Sequence, residues 1–311
     1  MFLYVVLSAM NPKYRQRKML TLAFAFITCA LAGPCFPMLN HTGPFYGVQY
    51  SSPSNSHVAN TTNQDYADIR AKGATLFQLS LTWKSIEPVA HQINFDMVAD
   101  LLLDIRLAKM TPMFNLAVID TNNIAVPPDL ADPNNRFMLA PGLRWTDDVI
   151  AARYKALLDV IAPLVLFSGG FYFGFANEVD ATLQAVSGSV ADDFAAFAVN
   201  MRGYLQYTTS PLLSCGVTLT VGGVNAMANN PPSWLTSLLT QMDATPLTFY
   251  PIEGMNATVL EPSLAVEAMG AAIAFLPWNR CVIFQELGST ETSPQWIAPR
   301  KTFSLTFFCP R

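Results

Sequence analysis

Phe171-Tyr172-Phe173-Gly174-Phe175-Ala176 runs straight into Asn177-Glu178-Val179-Asp180. The first six residues carry no charge, and a strand that is apolar on both faces belongs in a parallel sheet covered by helices. The sudden polar run marks the place where that strand leaves the core. Similar runs recur on either side of it. Tyr46–Ser51, Leu76–Trp83, Pro112–Ile119, Val217–Val221, Leu247–Pro251 and Cys281–Gln285 are short and rich in Val, Phe, Leu and Ile. With Phe171–Ala176 they make seven expected strands.

Longer amphipathic stretches lie between them. Asn63–Lys72 starts from a capping-type Asn, and Phe95–Lys109 carries apolar residues three and four apart. Thr146–Ile161, Ser189–Tyr207, Pro232–Met242 and Glu261–Phe275 follow the same rule. Strand and helix alternating this often make a parallel α/β fold. A Rossmann-type sheet would place a Gly-rich turn after its first strand; here Ser51-Ser52-Pro53-Ser54-Asn55 follows instead. The expectation is a (β/α)8 TIM barrel. Only 25 residues follow Glu286, so an incomplete or irregular eighth βα unit is the variant this C-terminus allows. Thr302–Cys309 is the candidate for the eighth strand.

The first residues read differently. Lys13, Arg15, Arg17 and Lys18 precede an uncharged run, Met19–Leu31, that ends in Ala30-Leu31-Ala32. A basic flank, a short apolar core and an A-x-A ending form a secretory signal. The run falls short of the roughly 20 residues a spanning helix needs. Residues 1–32 are therefore expected to be a cleaved signal peptide and 33–311 a single barrel domain. The alternatives are an uncleaved anchor, and a true start at Met10 or Met19. The expected product is secreted, with no stable membrane insertion after cleavage. Cleavage leaves 14 Lys+Arg against 22 Asp+Glu, a net charge of −8, which argues against nucleic acid as a partner. Four cysteines remain: Cys35, Cys215, Cys281 and Cys309. They allow three disulfide pairings, while Cys215 and Cys281 also fit core thiols. Sequons at Asn40, Asn60 and Asn256 suit a glycoprotein.

In a barrel of this kind the chemistry sits at the C-terminal ends of the strands. The fourth strand ends in Asn177-Glu178 and the seventh in Gln285-Glu286-Leu287-Gly288. Two glutamates thus close two nearly apolar strands on opposite sides of one mouth. Cleaving a glycosidic bond with retention needs such a pair, one protonated for the leaving oxygen and one ionised to attack the anomeric carbon. Two close carboxylates resist ionising together, which separates the roles. Glu178 is assigned as acid/base and Glu286 as nucleophile. Neither needs a cofactor or metal, and His41, His57 and His91 share no spacing that would make a metal site or triad.

At these residues the chain resembles glycoside hydrolase clan A, retaining β-glycosidases with an Asn-Glu pair ending strand four and a nucleophilic Glu ending strand seven. Further segments extend the likeness. Trp83-Lys84-Ser85-Ile86-Glu87-Pro88 resembles the clan's strand-two W-x-x-I-E-P, and Phe249-Tyr250-Pro251 its strand-six segment. Gln285-Glu286-Leu287-Gly288 is similar to the Q-E-x-G of endo-β-1,4-galactanase-like relatives. The resemblance implies a polysaccharide or oligosaccharide substrate. It also implies a hydrogen bond from Asn177 to a sugar 2-hydroxyl and a Tyr250 contact with the nucleophile. Trp83, at a strand end, is expected to stack on sugar, and Glu87 to tie a loop. Asp120 follows a strand end where it can line the cleft. For both Asn177 and Glu178 to face the mouth, the strand end must kink. Two rival functions remain: a glycan-binding pseudoenzyme with a truncated barrel, and a barrel of unrelated chemistry such as a lyase.

Overall fold

A computed structural model describes residues 47–50, 63–71, 73–211, 213–250, 252–253, 258–277, 281–287 and 306–308. The expected signal peptide and the sequon asparagines Asn40, Asn60 and Asn256 lie outside them. The strands of the main sheet are β1 (Gly47–Tyr50), β2 (Leu76–Thr82), β3 (Thr111–Ala117), β6 (Tyr172–Gly174), β7 (Ser214–Gly216), β8 (Leu219–Thr220), β9 (Ala244–Phe249), β12 (Cys281–Leu287) and β13 (Thr306–Phe308). Short hairpins β4–β5 (Ile119–Asp120, Asn123–Ile124) and β10–β11 (Ile252–Glu253, Thr258–Val259) stand off it. The order is β1-β2-β3-β6-β7-β9-β12-β13, with β8 also paired to β9. Every pair up to β12 is parallel.

The helices are α1 (Asn63–Ala71), α2 (Trp83–Ile86), α3 (Phe95–Leu107), α4 (Asp148–Phe167), α5 (Val179–Leu183), α6 (Gly188–Thr208), α7 (Val221–Met227), α8 (Ser233–Gln241) and α9 (Pro262–Phe275). Several begin where a side chain satisfies the first turn's free N–H groups. Asn94 accepts from Met97 N, and Thr220 from Gly223 N. α4 runs six residues beyond the expected end. Pro163 reads as a stop signal, yet the helix passes through it, with Ile161, Ala162, Leu164 and Val165 buried on either side. Packing of that apolar face outweighs the loss of one backbone hydrogen bond. Among the described residues no helix is long and apolar enough to cross a membrane.

Strand faces alternate between two cores. The outer one packs Phe77, Leu79, Phe114, Leu116, Phe173 and their neighbours against the helices. A smaller one, inside the curl of the sheet, joins Leu76, Met113, Tyr172, Ala244 and Ile283. The result is a parallel α/β sheet curled as a partial barrel. The eighth unit is irregular, as the C-terminal segment allowed. Residues 306–308 pair antiparallel to β12, with Phe284 opposite Thr306, so this segment is not a parallel closing strand. Among the described residues nothing joins β13 to β1.

Candidate active site

The fourth barrel strand, β6, stops at Gly174, but its backbone goes on bonding to both neighbours. Phe175 N donates to Gly216 O (3.1 Å) and Asn177 N to Ile119 O (2.9 Å). Glu178 then adopts φ 47°, ψ 46°. This left-handed step kinks the chain at the strand end. Facing it, Thr121 stands at φ 54°. Left-handed backbone costs about 1–2 kcal/mol for a residue with a Cβ, and more for a β-branched one. The two strained residues are bonded together: Thr121 N donates to Asn177 O (2.8 Å) and Thr121 Oγ1 to Glu178 Oε2 (2.8 Å). Thr182 Oγ1 donates to Thr121 O (3.0 Å), which fixes the turn from behind.

The other oxygen of Glu178 is held as firmly. Thr248 Oγ1, on β9, donates to Glu178 Oε1 at 2.6 Å. One carboxyl therefore spans a loop after β3 and the end of β9, each oxygen on its own hydroxyl. Beside it, side chains from four strand ends form a line. Thr218 Oγ1 donates to Gln285 Oε1 (2.7 Å), Gln285 Nε2 to Asn177 Oδ1 (3.2 Å), and Asn177 Nδ2 to Asp120 Oδ1 (3.1 Å). Each amide in this line is oriented by its neighbours, so Asn177 presents one face by construction.

Asp180 anchors the same loop from below. It is buried, and it accepts from Thr220 N (2.8 Å) and Thr220 Oγ1 (2.6 Å). Burial pushes its carboxyl above the ordinary aspartate range, against the lowering effect of those hydrogen bonds. A Cβ at position 223 would lie 1.9 Å from Asp180 Oδ2, so only glycine fits there.

Of Glu286 the structure describes the backbone. It pairs with Thr248, while Phe284 pairs with Leu247, so the register slips by one residue between them. Such a bulge moves a position from one face of a strand to the other. Tyr250 follows β9 directly and is 37% exposed.

Trp83 departs from expectation. It is fully buried in α2, its Nε1 donating to Glu87 Oε2 (2.7 Å) and its ring edge-on to Tyr154. An indole with no exposed face cannot stack on a sugar, so Trp83 is a packing and anchoring residue. Glu87 ties the loop as expected, accepting also from His91 N (2.6 Å) and Arg153 Nε (2.9 Å). Sequence reasoning missed Thr121, Thr248 and Thr218, because a threonine at a strand end carries no distinguishing signal. A cavity of about 420 Å³ lies elsewhere, between the 138–145 loop and the start of α6, lined by Met138, Leu143, Arg144 and Val190 among others. Among the described residues no cluster of three His, Cys, Asp or Glu could hold a metal ion.

No family model matches the sequence, and no curated protein sequence matches it. Solved structures do share the fold. An exo-β-1,4-mannosidase from Opitutaceae bacterium strain TAV5 overlays with a TM-score of 0.58 at 16% identity, over 80% of this chain and 46% of the mannosidase. A β-glycosidase from Pyrococcus horikoshii gives 0.58 at 10% identity, over 84% of this chain and 78% of its own. An intracellular xylanase from Thermoanaerobacterium saccharolyticum gives 0.51 at 12%, over 81% and 76%. The chain thus spans less than half the length of the mannosidase. At these identities the likeness is one of fold: the chain shares the α/β barrel architecture of these three proteins.

Proposed function

We propose that the chain hydrolyses β-linked glycosidic bonds with retention, Glu178 serving as acid/base and Glu286 as nucleophile. One observation carries the reading. The hydroxyl that holds Glu178 Oε1 belongs to Thr248, the residue paired across the sheet with Glu286. Neighbouring strands lie about 4.8 Å apart, and the carboxyls of a retaining pair lie about 5–5.5 Å apart. The one-residue slip in β12 supports the same arrangement, since it takes position 286 off the face of Phe284 and onto that of Thr248.

In the first step Glu286 attacks the anomeric carbon while the bond to the leaving oxygen breaks. That oxygen takes the proton of Glu178, and a glycosyl ester remains on Glu286. In the second step water gives a proton to Glu178 and its oxygen displaces Glu286 from the same carbon. Asn177 Nδ2 has a second hydrogen beyond the one given to Asp120, which suits a sugar 2-hydroxyl. Tyr250 belongs beside the nucleophile. The substrate class is a wall polysaccharide or another extracellular glycan, and secretion rests on the N-terminal pattern of residues 1–32.

A panel of β-glycosides tests the roles. Glu178→Ala should lose about 10²–10⁴-fold in kcat/KM on substrates with poor leaving groups and little in kcat/KM on activated aryl glycosides, which leave without a proton. Its kcat should fall on both classes, because the second step still needs Glu178 as base. Glu286→Gln should lose both. Turnover that survives Glu286→Gln rules out the nucleophile assignment. A second reading, glycan binding without turnover, draws on the antiparallel seat of β13, where a closing parallel strand was expected. Saturable oligosaccharide binding with no cleavage by the unaltered chain would favour it.

A further inference from the structure

Among the described residues, the inner face of the sheet, below the line from Thr218 to Asp120, carries four buried polar atoms with no partner: Gln78 Oε1, Gln78 Nε2, Asn115 Oδ1 and the Tyr172 hydroxyl. The three residues are 2%, 1% and 1% exposed. They come from adjacent strands. Gln78 and Tyr172 flank Met113 in one rank of the register, and Asn115 stands in the next rank between Ser80 and Gly174. Leu76, Met113 and Tyr172 belong to the core inside the curl, and Gln78 and Asn115, two residues further along their strands, point the same way.

Two glycines make room among them. A Cβ at Gly174 would stand 2.5 Å from Asn115 Oδ1 and 3.1 Å from the Tyr172 hydroxyl, and one at Gly216 would stand 2.8 Å from that hydroxyl. The amide oxygen and the phenol therefore converge on one spot. Native interiors leave very few polar atoms without a bond, and four from neighbouring side chains are a built site rather than scattered defects. Its chemistry is specific. Gln78 brings a donor and an acceptor, Asn115 an acceptor, and Tyr172 either one; none is charged. A hard metal cation would call for oxygens alone and an anion for donors alone. A mixed neutral set suits a small neutral molecule that both donates and accepts.

We propose that the barrel interior is a binding site for ordered water, at least one molecule bridging Tyr172 to Asn115 and to Gln78, beneath the Asn177–Gln285 line. This site stands independently of the glycosidase reading. Tyr172→Phe tests it, because the ring keeps its shape and only the hydroxyl goes. If water satisfies that hydroxyl, its removal costs a hydrogen bond, and the folding equilibrium constant should fall about fivefold in urea titration. Water-oxygen magnetic relaxation should lose at least one long-lived internal water in the same variant. Gln78→Met should be non-additive with it, since both hold the same water. A variant as stable as its parent, or more so, overturns the proposal, because deleting an unsatisfied hydroxyl removes a penalty. Lost stability with no lost water overturns it too, by making the partner a protein group.

Discussion

Asp180 and Asp129 feel opposite environments, and pH separates them. Burial raises the Asp180 carboxyl above its ordinary 3.8. A raised folded value means that the folded state holds the proton more tightly. The stabilisation from Asp180 is therefore complete below about pH 3.8 and is lost as pH rises through the folded value. Asp129 is lowered, first by its hydrogen bond from Arg153. Its share is present above about pH 3.8 and is lost as pH falls through its folded value. Asp180→Asn removes only the first dependence. Urea midpoints measured from about pH 3 to 7 should show the variant gaining on its parent as pH rises. A constant gap would mean that Asp180 does not titrate as described. At this scale the sequence was partly legible. Glu178 stood out because a carboxylate ending an apolar run is conspicuous, and Asp120 for the same reason. Thr121 did not, since a β-branched residue argues against the left-handed backbone it adopts. Trp83 misled because an aromatic at a strand end is visible in sequence, but the direction of its ring is not.

α4 acts as a tie between loops. Its Arg153, nearly buried, reaches Glu87 after α2 and Asp129 in the loop after β3. Glu87 is wholly buried and forms its ion pair with that guanidinium. Arg153→Met should destabilise by about 3–5 kcal/mol by leaving a carboxylate buried without its cation. Adding Glu87→Gln should recover much of the loss. Equal denaturation midpoints for the single and double variants would contradict this. Most helices and strands were readable from periodicity, because each buries one stripe or two faces. What escaped were the places where tertiary packing overrode local rules. α4 crossed Pro163, and residues 306–308 took the antiparallel edge of β12, a choice of direction that composition does not encode.

The molecule as a whole has one mainly parallel sheet with cores on both sides, and Cys215 reports on the outer one. It is a free thiol on β7, completely buried, with burial pushing its pKa far upward. Only the thiolate reacts, so a thiol reagent should label Cys215 no faster than the sheet opens. Peptide mapping of labelling against the global unfolding rate checks this; labelling far faster than unfolding would mean that β7 opens locally. The barrel class was legible because seven strands and six helices alternate along the chain. The curl of that sheet, and the polar atoms gathered inside it, follow from register and glycine placement rather than from any motif.

The left-handed backbone at position 178 has a consequence for descent. Glycine or asparagine would sit there with less strain, so the backbone alone favours those two replacements over glutamate. The carboxyl is held against that preference by Thr121 and Thr248, whose hydroxyls bond its two oxygens. A lineage that stopped using the site would be expected to lose Glu178 early, well before its cores decayed.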